Sequence, residues 1–444
     1  MDLFSALGAA ITSEMVDRRE TITRYYFLSP DAAQELAAAL ANAPEVSPGG
    51  HIVALADART AAAAADPCVS ALQERGFVVT LRVLPDSTAD GPVCDDTTQR
   101  ALLTDLEGIR PDLLLGIGSG VLSDLTKWLA FDLGIRSAVY ATAASMNGYT
   151  AANVAPAING VKSLVSARSH LAVAADPRVL AAAPMALTTA GLGDVIAKWV
   201  STADWRMNEL LFGEVFSAPI AGIIDHVEET YLAHPERIAS RDPEAIAGLF
   251  SALVFSGCAM TLQGSSMPAS GGEHLISHAL DMRAMAEGIG HDLHGRQVGV
   301  GTLVAAALYQ QVLALPDPTF VVPAMELDRA AWGGVAHAVE GHFARKNARL
   351  ASAVTRLAEP GTWEELRTAL RPLLPDPGRI KHVLRAAGAA YRAEQLGVDR
   401  ARFRWAVLNG SHMRERFTSL DLAYVTGVLP GHLDPLLDRH VFTD

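Results

Sequence analysis

Four histidines, His274, His278, His291 and His294, fall within one stretch from Gly264 to Thr302, in a chain that has only 14 histidines among 444 residues. Neutral imidazole is the commonest protein ligand for a divalent metal. Two imidazoles and one carboxylate make three-quarters of a tetrahedral shell whose last position is open to substrate. The chemistry indicated is that of a catalytic metal. The best candidate for the carboxylate is Asp194 in AGLGDVIAKW (190–199), because an aspartate among apolar residues is costly to bury unless paired or metal-bound. Spacing alone leaves the choice of imidazoles open. His274 and His278 share one helix face, and His294 stands at the mouth of the next helix. His337 and His342, five apart, do not fit H-E-x-x-H and read as helix surface.

A second candidate site is the run GIGSGVLSDLTK (116–127), directly after an apolar strand. Glycines at a strand end let a pyrophosphate approach the backbone, and the N-terminus of the following helix offers N–H groups to it. The G-x-G-x-x-G fingerprint is incomplete, so the run also fits a tight strand-to-helix turn. Asp57 closes the strand HIVALAD (51–57), where an acid can accept from a ribose 2′-hydroxyl, favouring NAD over NADP, or can cap the next helix.

The elements that must carry these residues divide the chain in two. Residues 1–48 read as a helical extension, with a helix starting at Ser29-Pro30-Asp31. From 49 to 183, short apolar runs at 51–57, 77–84, 113–120, 137–143 and 170–176 alternate with helical stretches, which predicts an α/β domain with a mainly parallel sheet. From 184 to 444 nearly everything follows helical periodicity, which predicts an all-α domain packed against the first so as to form a cleft.

A formal charge of −13 and the lack of any Lys/Arg run exclude a nucleic-acid footprint and point to a small-molecule partner. The three cysteines are scattered, with no C-x-x-C, so neither a disulfide framework nor a zinc ribbon is expected. Charged residues interrupt the N-terminus and no uninterrupted 18-residue apolar segment occurs. A soluble, cytoplasmic protein without a membrane span is the expectation, and a homo-oligomer is expected as well.

In order along the chain, GSGVLSDLTKW (118–128), TAASMNGYT (142–150), AGLGDVIAKW (190–199), SMPASGGEHLISHALDM (266–282), HGRQVGVGT (294–302) and RERFTSLDLA (414–423) resemble the motifs of bacterial-type sn-glycerol-1-phosphate dehydrogenases. That family lies in the iron-containing alcohol dehydrogenase and dehydroquinate synthase superfamily. The resemblance, over roughly residues 50 to 425, implies a dinucleotide-binding α/β domain, a helical domain and a metal in the cleft between them. It makes Asp194, His274 and His294 the metal ligands, with His278 a close neighbour and His291 a solvent-side bystander. It places Gly118, Ser119, Gly120 and Asp124 on the phosphate-binding motif, Thr142 and Ser145 on a nucleotide-contacting T-x-x-S, Lys162 near the nicotinamide ribose, and Asp57 as the acid that reads the ribose.

The activity implied is reduction of dihydroxyacetone phosphate to sn-glycerol 1-phosphate by NAD(P)H, NAD favoured, with one zinc, iron or nickel ion as Lewis acid. Three positions depart from the family pattern. Asn147 stands where many relatives have aspartate, and can bond a substrate hydroxyl without carrying charge. Met267 replaces an arginine and Arg296 a glutamate, which removes one possible phosphate partner and adds another. Those departures also fit reduction of another small aldehyde or phosphorylated ketone, or a homologue that binds metal and nucleotide without turnover. A dehydroquinate-synthase-like cyclase typically shows glutamate at the position of Asp194.

Overall fold

A computed structural model describes Leu3 and residues 22–88, 91–159 and 161–443. Six parallel strands form its main sheet: β1 (Tyr25–Leu28), β2 (His51–Asp57), β3 (Val78–Leu84), β4 (Leu113–Gly118), β5 (Arg136–Ala141) and β6 (Ala172–Ala175), in spatial order β1-β6-β5-β4-β2-β3. Helices α1 (Ala32–Ala41), α2 (Ala58–Glu74), α3 (Asp96–Asp105) and α4 (Gly120–Asp132) lie between strands. Alternate residues of each strand serve opposite faces. Ile52, Ala54 and Ala56 pack with α1 and α2, whereas Val53 and Leu55 pack with α3 and α4. Central strands buried on both faces explain why these segments read as continuous apolar runs rather than alternating ones.

The strand order has a direct consequence for binding. After β2 the chain moves outward to β3 and then returns to the other side of β2 for β4. The order therefore reverses between β2 and β4, and ligands of open α/β sheets bind beyond the carboxyl ends of strands at such a point. Asp57 and Gly118 are the last residues of those two strands.

Of the expected helical extension over 1–48, residues 1–2 and 4–21 lie outside the described residues, and the remainder needs correction. The helix at 32–41 is present, but Tyr25–Leu28 is an edge strand paired in register with Ala172–Ala175. Four residues are too few to show a period, and the pairing partner lies far away in sequence. The division of the chain also departs from the expected break at 183/184. One compact unit comprises 1–191 and 222–265, the other 192–221 and 266–444.

The second unit is helical as expected, carrying α5 (Lys198–Phe212), together with α7 (Gly272–Glu287), α8 (His294–Leu313), α9 (Ala336–Leu357), α10 (Arg400–Asn409) and α11 (Ser419–Val425). Helix α6 (Pro243–Gln263) belongs to the first unit. The helical run leading into α9 is broken by a 3₁₀ turn at Gly333–Val335, where Gly333 takes a φ of +53° that disfavours other residues. Two helices, Pro243–Gln263 and His294–Ala314, are long and apolar enough to cross a membrane, but 83% of each such window is buried, as in core helices.

Candidate active site

Three helical segments carry the metal-type donors, and glycines set how closely they approach. The helix Met185–Ile196 carries Gly193-Asp194 in its last turn. A Cβ on Gly193 would fall 2.0 Å from the Gly295 carbonyl oxygen and 3.2 Å from the Gly299 Cα. A Cβ on Gly301 of α8 would fall 2.7 Å from the Glu273 carbonyl oxygen of α7. These crossings are backbone against backbone, which only glycine permits. They bring Asp194 beside His274, in the first turn of α7, and His294, the first residue of α8.

The donor atoms of Asp194, His274 and His294 all lie within 4.8 Å of one another. Asp194 and His274 are 4% and 6% exposed, and the His274 Nε2 is 3.4 Å from Asp194 Oδ1. The His278 ring centroid lies 5.2 Å from that of His294 and 6.1 Å from that of His274, so three of the four histidines converge. The fourth, His291, is half-exposed, and its Nδ1 is 3.1 Å from the buried Asp281 carboxylate rather than free in solvent.

The surroundings of the triad are acidic. Glu273 is fully buried, bonds His274 Nδ1 and the Gly271 amide through Oε1, and has no hydrogen-bond partner for Oε2. Asp204, also buried, accepts from the Gly272 and Ser419 amides and from Tyr309. Burial and the neighbouring Glu273 push the Asp204 pKa up to about 8, so it keeps a proton near neutral pH. Burial opposes a charged His274, yet the hydrogen bonds to Asp194 and Glu273 outweigh it and bring its pKa up to about 9. One carboxylate and two imidazoles are the donor set of a divalent-cation site. The donor set, its convergence and the unpartnered Glu273 oxygen all fit such an ion.

The nucleotide-type residues lie in the first unit. Gly118 ends β4 against α4: a Cβ there would meet the Leu122 side chain at 2.7 Å, so this glycine serves close strand–helix packing. Ser119 stands at the N-cap of α4 without a side-chain capping bond, Gly120 begins the helix, and the Thr142 amide donates to the Gly118 carbonyl at 3.1 Å. Asp124 and Lys127 fix the loop that contains Ser145 and Asn147. The buried Lys127 ammonium donates to the carbonyls of Gly148 and Asn153, and Asp124 receives the Ala155 amide and pairs with Lys127 at 3.1 Å. Asn147 precedes the 3₁₀ turn Gly148–Thr150. Lys162 lies in the short strand Val161–Lys162, and its side chain falls outside the described residues.

Two expectations change in character. Asp57 has the expected place at the end of β2, but its Oδ1 accepts the Arg59 and Thr60 amides in a capping box, and Oδ2 is 3.5 Å from the Arg59 guanidinium. Arg296 offers little to a phosphate, because it is engaged with Asp292 and the Gln395 carbonyl. A residue without an assigned role now stands out: Arg416 reaches the loop that contains Met267, donating to the Ser270 carbonyl and to Ser266 Oγ. The signal was present in the RERFTSLDLA run.

Comparison with known proteins bears on the family and the fold. A family model described as iron-containing alcohol dehydrogenase matches residues 27–184. The glycerol-1-phosphate dehydrogenase [NAD(P)+] of Halalkalibacterium halodurans is 31% identical over 270 residues, covering 61% of this chain and 67% of that protein. The namesake from Geobacillus thermodenitrificans is 27% identical over 83% of this chain and 85% of its own length, and the chain spans 66% of the Bacillus subtilis relative. Among solved structures, glycerol dehydrogenase from Schizosaccharomyces pombe superposes with a TM-score of 0.60 at 17% identity, covering 94% of this chain and 92% of that one. The chain belongs to the iron-containing alcohol dehydrogenase family, with the glycerol-1-phosphate dehydrogenases as its similar relatives.

Proposed function

We propose that the protein is a metal-dependent, NAD(P)-linked dehydrogenase that interconverts dihydroxyacetone phosphate and sn-glycerol 1-phosphate. In this reading the α/β unit binds the dinucleotide and the helical unit holds a divalent ion on Asp194, His274 and His294. The convergence of one carboxylate and two imidazoles, on helices that glycines hold together, is the observation that carries it. When bound, the nicotinamide supplies hydride chemistry and the metal supplies Lewis acidity toward a carbonyl or alcohol oxygen. The β4–α4 turn presents backbone amides to the pyrophosphate, and Asp124 and Lys127 keep the Ser145–Asn147 loop in place beside it. Asn147 bonds a substrate hydroxyl through its amide. Asp57 at the end of β2 favours a free ribose 2′-hydroxyl and so NAD over NADP.

The test is direct. Metal-stripped protein is reloaded with zinc, iron(II) or nickel, and oxidation of NADH or NADPH by dihydroxyacetone phosphate is followed at the nicotinamide absorbance. Activity with at least one metal is expected. Asp194→Ala and His274→Ala should lose bound metal and about 1,000-fold or more in turnover. Metal content and turnover that both survive these substitutions would overturn the reading.

Arg416 takes the place of the arginine missing at 267 as the cation for the substrate phosphate. Arg416→Gln is therefore expected to raise KM for dihydroxyacetone phosphate by about 10- to 100-fold, on the order of 1.4–2.8 kcal/mol. Its content of bound metal should not change. An unaltered KM in steady-state kinetics would remove Arg416 from phosphate recognition.

A further inference from the structure

Each candidate ligand imidazole touches a side chain through Nδ1, and the two partners reach the same result by different routes. Glu273 Oε1 lies 2.8 Å from His274 Nδ1 and already receives the Gly271 amide at 2.6 Å. An oxygen that accepts from that amide accepts from the ring as well, so His274 Nδ1 carries a proton. On the other ring, Ser277 Oγ lies 2.9 Å from His294 Nδ1, and a hydroxyl could either donate or accept there. Gln297 decides between these. Its Oε1 lies 2.8 Å from Ser277 Oγ, and its Nε2 points to the Asp292 carbonyl at 3.4 Å, which orients the amide with the oxygen toward the serine. The single hydroxyl hydrogen of Ser277 goes to that oxygen, and Ser277 accepts from the His294 Nδ1–H.

We propose that Glu273 and the Ser277–Gln297 pair are positioning residues that fix both imidazoles as Nδ1–H tautomers, so that His274 and His294 present Nε2 to one cation beside Asp194. The proposal rests on the metal reading given above. The two supports are unequal. A carboxylate makes the His274 ring a stronger donor than the neutral serine makes His294, and loss of such a partner typically costs 10- to 100-fold in metal affinity. Burial favours permanence: Glu273, Ser277 and Gln297 are each no more than 1% exposed, so water cannot substitute for them.

The experiment uses the full chain loaded with zinc. Long-range proton–nitrogen correlation of protein labelled at histidine nitrogen should show Nδ1 protonated and Nε2 metal-bound for both residues. Zinc affinity is then measured by competition with a chelating dye for wild type, Glu273→Gln, Ser277→Ala and Gln297→Leu. Glu273→Gln should lose about 10- to 100-fold, and Gln297→Leu about 10-fold although Gln297 contacts neither a ligand atom nor the ion. Nδ1 coordination in either ring, or wild-type affinity in all three variants, overturns the proposal while leaving the metal site intact. Wild-type protein that binds no zinc, iron(II) or nickel overturns the metal reading and this inference with it. The wild-type spectrum decides the tautomers even if a variant fails to fold.

Discussion

Gly193→Ala is expected to cost the protein its metal, although position 193 offers no ligand. The added Cβ would fall 2.0 Å from the Gly295 carbonyl oxygen, and its other neighbours are backbone atoms that cannot swing away. Overpacking of this kind costs about 1–3 kcal/mol or more, and relieving it requires the Asp194 segment and α8 to separate. That motion draws Asp194 away from His294, so affinity for zinc should fall by at least about 100-fold, the upper end of what disturbing a ligand's support costs. Gly290→Ala is the control, since a Cβ there meets nothing within 4 Å. Isothermal titration of both variants, with thermal melts alongside, checks the expectation. Equal affinities would show that the helix crossing does not set the site.

The second large effect is expected at Lys346. Its ammonium and the Asp421 carboxylate are both fully buried and 2.8 Å apart, and Lys346 also donates to the Arg416 carbonyl. Burial lowers the lysine pKa and raises that of the aspartate in spite of the pairing, so desolvation outweighs mutual attraction. Removing one partner therefore leaves a costly uncompensated charge. Lys346→Met should destabilise the helical unit by about 3–5 kcal/mol, and Lys346→Met combined with Asp421→Asn should regain much of that. Urea unfolding followed by tryptophan fluorescence reads both. A single variant as stable as the wild type would contradict the assignment. Because Lys346 anchors the backbone of Arg416, the single variant should also show the raised KM expected for Arg416→Gln.

Much of the fold was legible because central strands buried on two faces leave long apolar runs, and helices leave a clear period. The β1 strand was not, since four residues carry no period and their partner is remote in sequence. At the site, the residue types pointed to a metal, but imidazoles at 274, 278, 291 and 294 are indistinguishable by spacing; only the ordered motifs separated them. Asp57 shows the limit of position as a guide: an acid at a strand end serves a helix cap and a ribose equally well, and in the fold Asp57 forms a capping box. Glu273 stood in plain view, directly before His274, as an ordinary acidic residue of a helix first turn. Nothing in a linear pattern reveals that its carboxylate turns back onto the neighbouring ring. Arg296 illustrates the converse, a charge suited to phosphate by type but engaged with Asp292 once folded.

The chain passes from one compact unit to the other at 191/192, 221/222 and 265/266. During synthesis the α/β unit therefore cannot be completed when its last sheet strand, Ala172–Ala175, has emerged. It must wait for Pro243–Gln263, the helix whose Gly257 lets the Asn147 carbonyl oxygen and the Thr150 hydroxyl lie close against its backbone. By then residues 192–221, including the helix Lys198–Phe212, are already outside the ribosome without the α7 and α8 helices that complete their unit. The order of synthesis thus leaves a helix whose buried face includes Val200, Trp205, Met207 and Leu211 waiting for partners at an early stage, an interval in which the nascent chain is exposed to aggregation.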